Sequence, residues 1–559
     1  MRAGRTPCLV FNRYAQKVGT FDHVARRGRL VFLAALTVIG AWLRFSAIGF
    51  GLPDLFRPDE GWIIPSALDF EHNWDPYVWN PHVAVYPAAQ IYLIHAVLRL
   101  YAALTGAGAN LWVAFGSGHT PQAYLIGRLI TAAMGVATVP AIYLAAVPAF
   151  GSTAGLVSAA ITTVSYIHVR ESKFAKLEVP AGLWLALCIW MMLRTANRGR
   201  RMDYSLAGFF CGLAAATHYS AGAIAAGIFV AHLEARHREG KRLLTSLLDT
   251  RIYLAGIVAI LSFLCANPYF ILDWRRTVDE FALQRKAYWR WSGDKYDFGW
   301  RWLFLRAMPR GFGIEFEVFM LAALLWNLFR PRPGTYSLMA FILICFLTLT
   351  NGRPMLEYRY LVNPLIAMAL LSGVLATDLT TLVRAWMGNG AVYLMVLVGT
   401  ILCVPSLVRD VEANHLLDRP DTRTLARTWI LEHIPAEDRI IFIPGSGFGK
   451  PDIQERYHVV SVESPKSLQV DTKMANWVIV DSFPPLNKWS PGVTDAEMDL
   501  LNSEGKVVFD IDPLKPGGGI PTFDRNDAFY APFTHITSMM RPGPKIRIWK
   551  IERASPASK

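Results

Sequence analysis

Repeated apolar runs of bilayer-spanning length constrain this chain more than any other feature. They lie near 30–50, 122–149, 153–169, 177–195, 205–219, 220–235, 252–272, 312–329, 336–350, 360–378 and 391–409. A hydrocarbon core about 30 Å thick takes roughly 20 apolar helical residues to cross. The fold class expected is therefore a polytopic α-helical membrane protein with about eleven spans. Composition agrees: 53% of the 559 residues are hydrophobic and 18% charged, where a soluble domain carries about a quarter.

A further apolar stretch, 83–104, contains His95 and Arg99. The positive-inside rule decides its place. Arg194, Arg198, Arg200 and Arg201, then Arg236, Arg238, Lys241 and Arg242, then Arg330 and Arg332 form three basic clusters. All three face the cytoplasm only if 83–104 does not cross, so it is expected as a juxtamembrane or re-entrant helix in the first outer loop. Residues 1–29 carry seven basic residues against Asp22. They are expected to be a cytoplasmic basic tail before an uncleaved first span, with 30–409 as the membrane module.

After about residue 410 the pattern changes. The stretch 421–435 has amphipathic spacing with Asp421 as N-cap, and "RIIFI", "NWVIV", "KVVFDI" and "KIRIWKI" are expected as short buried strands. Residues 410–559 are expected to form a small α/β domain outside the membrane. The net charge of +13 then belongs to loops that meet anionic lipid, and nucleic acid is not the expected partner. Of six cysteines, five sit in apolar runs and none forms a CxxC, which points to core fillers instead of a disulfide framework or zinc site.

Three outer loops carry candidate chemistry. In "FRPDEGW" (56–62) Asp59 and Glu60 stand side by side among Phe56, Trp62, Ile63 and Ile64. The pair fits a solvated loop, or a partly desolvated general base. "HVRESKFAKLEVP" (168–180) packs Arg170, Glu171, Lys173, Lys176 and Glu178 between two spans, which fits snorkelling or an anion site with a second carboxylate. "NGRPMLEYRYLVNP" (351–364) sets Arg353, Glu357, Arg359 and Tyr360 at a helix mouth. Its arginines could fork onto a phosphate or close a helix end. His218 ends a span on the same side. "PGSGFGKP" (444–451) lacks the Walker spacing and reads as a turn. Residues 274–311 depart from the charge rule, being basic although expected outside; "EFALQRKAYWRW", with Arg285 and Lys286, suits a juxtamembrane helix over a lipid phosphate.

The loops together with "LRFSAIGFGLPDLFRPDEGW", "YPAAQIYLI", "RLITAAMGVATVPAIYLAA", "NPYFILD" and "GPKIRIWKIE" resemble the GT-C superfamily of membrane glycosyltransferases. The likeness is to its bacterial family-39-like enzymes, related to protein O-mannosyltransferases and lipid A aminoarabinose transferases. The resemblance implies transfer of a sugar, commonly with inversion, from a polyprenyl-phosphate donor to a hydroxyl of a lipid, glycan or protein acceptor. The setting it implies is the outer face of a bacterial inner membrane. It implies Asp59 as base with Glu60 beside it, and maps a second-loop carboxylate, usually Asp, to Glu178. His218 stands where the family often has lysine. Arg170, Lys173, His218, Arg285, Lys286, Arg353, Arg359 and Tyr360 are the expected donor and phosphate contacts. Cationic help for the leaving group can come from arginines or a divalent metal, and no metal ligands are assigned. The alternatives are a transporter or flippase for a lipid-linked sugar, which calls for mid-membrane charges and repeat symmetry, and a non-catalytic membrane scaffold.

Overall fold

The computed structural model describes residues 8–54, 59–71, 79–108, 110–116, 120–290, 299–350, 357–444, 450–451, 453, 456–461, 475–482, 495–524 and 530–551, with side chains from residue 27 onward except at 287–290, 389, 392 and 495–497. Each of the eleven apolar stretches is helical. The principal helices are Cys8–Phe45, Pro121–Phe150, Ser152–Val164, Glu178–Arg198, Arg201–Thr217, Ile224–Arg238, Thr250–Ala266, Ile314–Phe329, Thr335–Thr350, Val362–Met387 and Ala391–Leu417. Seven described helical runs, including Ala88–Thr105, are long and apolar enough to cross a membrane; Ser152–Val164 and Thr335–Thr350 are shorter. The molecule is an integral membrane protein.

Local chemistry sets the breaks between helices. Pro121 sits in the first turn of its helix, where its missing N–H costs nothing. Gly199, at φ 61°, ends Glu178–Arg198 in the left-handed conformation that favours glycine. Small residues set one close contact: Gly208 and Gly212 of Arg201–Thr217 press directly on the backbone of Ala255 and Ala259 in Thr250–Ala266. This four-residue spacing is how membrane helices approach without a hydrophobic driving force.

Two expected boundaries differ. The basic tail is helical from Cys8 and continuous with the first apolar run. The last membrane helix continues past 410 to Leu417, because the apolar-to-polar change falls inside one helix.

The loops between helices gather at two ends. At one end lie the first loop with its Glu60–Leu68 helix, residues 172–177, the turn at 218–223, the Trp274–Arg290 helix, residues 357–361 and the C-terminal domain. Ala88–Thr105 packs here too: His95 Nδ1 lies 2.7 Å from the Ala67 carbonyl, and Ile91, Ile94 and Leu98 join Ile63, Ile64 and Leu68 in one apolar cluster. The opposite end carries Arg194, Arg198, Arg236, Arg238 and Arg332.

The C-terminal domain has a five-stranded sheet of order β2-β1-β3-β5-β4, formed by β1 (Ile440–Pro444), β2 (Val459–Ser461), β3 (Trp477–Ser482), β4 (Gly505–Ile511) and β5 (Lys545–Ile551). β1 runs parallel to β2 and β3, while β5 is antiparallel to β3 and β4. The central β1 and β3 are buried on both faces, which explains their unbroken apolar runs. Thr422–His433 packs on the sheet, and Asp421 caps it by accepting from the Arg423 N–H at 2.8 Å. β2 and the Asp495–Glu504 helix are not expected from the sequence, and β4, expected buried, is largely exposed at the sheet edge.

The domain reaches into the bundle. Phe523, Phe533, Ile536 and Met539 join the membrane core. Tyr530 packs on Phe50 with ring centroids 4.6 Å apart. Gly51, at φ 71°, lies directly beneath the Tyr530 ring, where a side chain would collide. Thr424 donates to Asp54 at 2.6 Å.

Candidate active site

Three loops distant in sequence meet in one ion cluster. Asp59 precedes the Glu60–Leu68 helix. Its Oδ2 accepts from Arg359 at 2.7 Å and lies 3.3 Å from Lys176 Nζ, while its Oδ1 accepts from the Tyr86 hydroxyl at 3.1 Å. Arg359 also lies 3.1 Å from Glu178 Oε1 and pairs tightly with Glu357. Lys176 bridges to Glu171 at 3.2 Å. The side chains range from fully buried (Glu171 and Glu357) to 15% exposed (Asp59), so the cluster sits in low dielectric and opens toward solvent at Asp59.

That environment moves the protonation equilibria. Burial pushes the Glu357 carboxyl up to about 7 against the pull of Arg359. Burial also lowers Arg359, but Asp59, Glu357 and Glu178 outweigh it and hold the guanidinium well above its ordinary value. Burial and neighbouring Asp59 raise the Tyr86 phenol, which stays a donor. His218 lies at the edge, 6.3 Å from the Tyr360 ring between centroids, with the Ser220 hydroxyl 2.7 Å from its Nδ1. Burial lowers its pKa, so the ring is neutral. Tyr360 carries the Arg359 guanidinium 5.8 Å above its ring.

Other expected site residues stand elsewhere. Glu60, one residue from Asp59, is 1% exposed. It accepts from Arg128 Nε at 2.9 Å and Nη2 at 2.8 Å, and from the Ala175 N–H at 2.7 Å. Arg128 further donates to the carbonyls of Ile48 and Phe50. A carboxylate so occupied fastens the loop to the bundle. Arg170 is buried against Glu171 and the Ala531 carbonyl. Lys173 donates to the carbonyls of Leu43 at 2.7 Å and Ser46 at 2.6 Å, closing the end of the first helix. Both are held by these partners in the structure, away from Asp59. In the same short loop Lys176 points to Asp59. Arg353 and "PGSGFGKP" residues 445–449 lie outside the described residues.

Arg285 and Lys286 are exposed on the Trp274–Arg290 helix. That helix is tied to the first loop: Glu280 accepts from the N–H groups of Ala84 and Val85 at 2.7 and 3.2 Å, and Arg276 donates to the His82 carbonyl. The tie reaches to within one residue of Tyr86. Asp524, from the C-terminal domain, accepts from the N–H groups of Tyr358 and Arg359 at 2.7 and 3.3 Å.

Glu171 and Lys176 are named from sequence only as members of a candidate loop, and Tyr86, Arg128 and Asp524 are not singled out there. Of these last three, Arg128 leaves a signal as a lone charge within an apolar helix. Among the described residues no group of three or more His, Cys, Asp or Glu is arranged to hold a metal ion.

Residues 122–268 match the family model for dolichyl-phosphate-mannose-protein mannosyltransferase. No protein of curated function matches the sequence. The structure is similar to the archaeal oligosaccharyltransferase AglB from Archaeoglobus fulgidus in complex with an inhibitory peptide and a dolichol-phosphate. The TM-score is 0.52 at 12% identity, over 94% of this chain and 89% of that one. It is similar to the apo form of the Archaeoglobus fulgidus oligosaccharyltransferase, with TM-score 0.51, 11% identity, and 94% and 88% covered. ArnT from Cupriavidus metallidurans in the apo state gives 0.46 at 14% identity, over 87% and 96%. Identities this low bear on the fold alone. The family model covers 147 of the 559 residues, and the fold is like that of the archaeal oligosaccharyltransferase.

Proposed function

We propose that this protein transfers a sugar from a polyprenyl-phosphate donor to an acceptor hydroxyl, with inversion, at the extracytoplasmic face of the membrane. One observation carries the reading. Asp59, Lys176 and Arg359, from three separate loops, converge at one end of the bundle, opposite the basic clusters expected at the cytoplasmic side. In this reading Ala88–Thr105 lies along the outer face, about eleven helices cross, and the C-terminal domain is extracytoplasmic.

The chemistry follows from the charges. The acceptor oxygen attacks the anomeric carbon as the bond from that carbon to the phosphate oxygen breaks. The electron pair leaves with the polyprenyl phosphate, and the acceptor proton passes to Asp59. Arg359 and Lys176 stabilise the leaving phosphate, where preorganised cations are worth most. They hold Asp59 at rest, and an aspartate facing two cations is a weak base. A donor phosphate that draws them away raises its basicity when the acceptor is to be deprotonated. Glu178 orients Arg359, Tyr86 orients Asp59, and His218 with Tyr360 lines the sugar side. Arg285 and Lys286 meet the lipid phosphates from the juxtamembrane helix.

The test is transfer by reconstituted protein supplied with labelled polyprenyl-phosphate sugars. Asp59→Asn should abolish transfer and leave membrane insertion intact. A flippase would move the donor without transferring sugar, and a scaffold would do neither; either result sinks the reading.

A further inference from the structure

We propose that Asp524, carried by the C-terminal domain, is the positioning residue that sets Arg359 in the donor-phosphate site. The inference rests on the reading of Arg359 as a phosphate ligand.

Residues 357–361 leave extended backbone at Glu357 (φ −110°, ψ 143°) and enter a 3-10 turn, Tyr358–Leu361, that runs into the Val362–Met387 helix. The first N–H groups of such a turn have no carbonyl within it to bond. Asp524 spans two of them with its two oxygens, at 2.7 Å from Tyr358 and 3.3 Å from Arg359. The carboxylate is buried, so these bonds are made in low dielectric, where an unmet N–H is costly. Three carboxylates, Asp59, Glu178 and Glu357, pull on the Arg359 guanidinium at once. The backbone beneath must be held for the side chain to keep one place among them.

Tyr358 has other supports. Its ring stacks on Trp302 at 5.9 Å between centroids and meets Phe533 at 4.7 Å, and Arg310 donates to its hydroxyl at 2.5 Å. The domain segment also has anchors apart from Asp524, because Tyr166 donates to the Pro532 carbonyl at 2.6 Å and meets the Phe533 ring at 5.9 Å between centroids. Removing one oxygen acceptor at 524 therefore loosens Arg359 while the domain stays docked. In Asp524→Asn the amide nitrogen faces a backbone N–H, donor against donor.

The test is binding of undecaprenyl phosphate to the full chain in detergent. Four forms are compared: wild type, Asp524→Asn, Arg359→Ala and the double variant. Asp524→Asn should weaken binding about ten-fold, the scale of one lost hydrogen bond to a charged group. The double variant should bind no more weakly than Arg359→Ala, because Asp524 acts only through that side chain. Thr424→Ala, which releases the same domain's contact with Asp54, should leave affinity unchanged. If Asp524→Asn does not accumulate, Asp524→Glu moves the carboxylate by one methylene and should show the same dependence on Arg359. Equal weakening by the Asp524 change with and without Arg359, or no weakening in wild type, overturns the inference while the function stands. A wild type that does not bind undecaprenyl phosphate overturns the function reading, and this inference with it.

Discussion

The two ends of the helix bundle each hold an ion network, and the two are built differently. At the end opposite the site, Arg251 lies 3.0 Å from Asp249 and 3.1 Å from Glu239, donates to the Gly199 carbonyl, and shares Asp249 with Arg236. Two arginines meet two carboxylates, and Glu239 is 39% exposed. At the site end a single guanidinium serves Asp59, Glu178 and Glu357, all nearly buried. The first network is balanced in charge, reaches solvent at Glu239, and ties loops together. The second crowds carboxylates around too few cations in low dielectric, an arrangement that costs stability and that pure fastening does not need. On the function proposed above, the site end is where charge is kept for use.

The largest expected effect is at Arg359. Arg359→Ala should lower transfer by about 10²–10³-fold, the usual loss when one preorganised charge partner of a transition state is removed. A retained rate would make the site-end cluster a fastening like its opposite. Next is Arg128. Arg128→Met strands the buried Glu60, which should cost about 3–5 kcal/mol in thermal unfolding of the solubilised protein. Adding Glu60→Gln should recover much of it. A single variant as stable as wild type would break the assignment of Glu60 to anchoring.

The pH dependence sharpens the contrast further. Because burial sets the Glu357 carboxyl near 7, it is neutral below that value and ionised above it. Ionisation adds an anion beside Arg359 that competes with phosphate, so donor affinity should fall as pH rises through about 7. Glu357→Gln should flatten that step, and a step that persists in the variant assigns it elsewhere. The smallest effect belongs to the opposite end. Glu239→Gln should cost less than about 1 kcal/mol, as exposed pairs do, and leave transfer unchanged. A large loss of activity there would erase the distinction between the two ends.

Much of this layout is legible in the sequence, for physical reasons. Apolar runs have few alternatives to helix in a bilayer, so all eleven expected stretches are helices. Short runs rich in branched and aromatic residues mark β1, β3, β4 and β5. The three loops that meet at Asp59 were grouped by counting crossings. Side-chain direction was not legible. Arg170, Lys173 and Lys176 share seven residues of sequence. No periodicity in the irregular segment 172–177 tells which one turns to Asp59, because tertiary contacts with the first helix and the Ala531 carbonyl decide it. Asp59 and Glu60 looked alike for the same reason: Glu60 is claimed by Arg128, 68 residues away. Asp524 lies 166 residues from Tyr358, in a loop that no pattern connects to the membrane module.

The central claim is that Asp59 takes the proton of an acceptor hydroxyl beside a bound lipid phosphate. The most direct measurement is sugar transfer in proteoliposomes from a labelled polyprenyl-phosphate donor, with undecaprenyl phosphate binding followed in the same preparations. The account predicts that Asp59→Asn retains phosphate binding and loses transfer by at least about 100-fold, the usual worth of a general base. An Asp59→Asn protein that transfers sugar near the wild-type rate would contradict it.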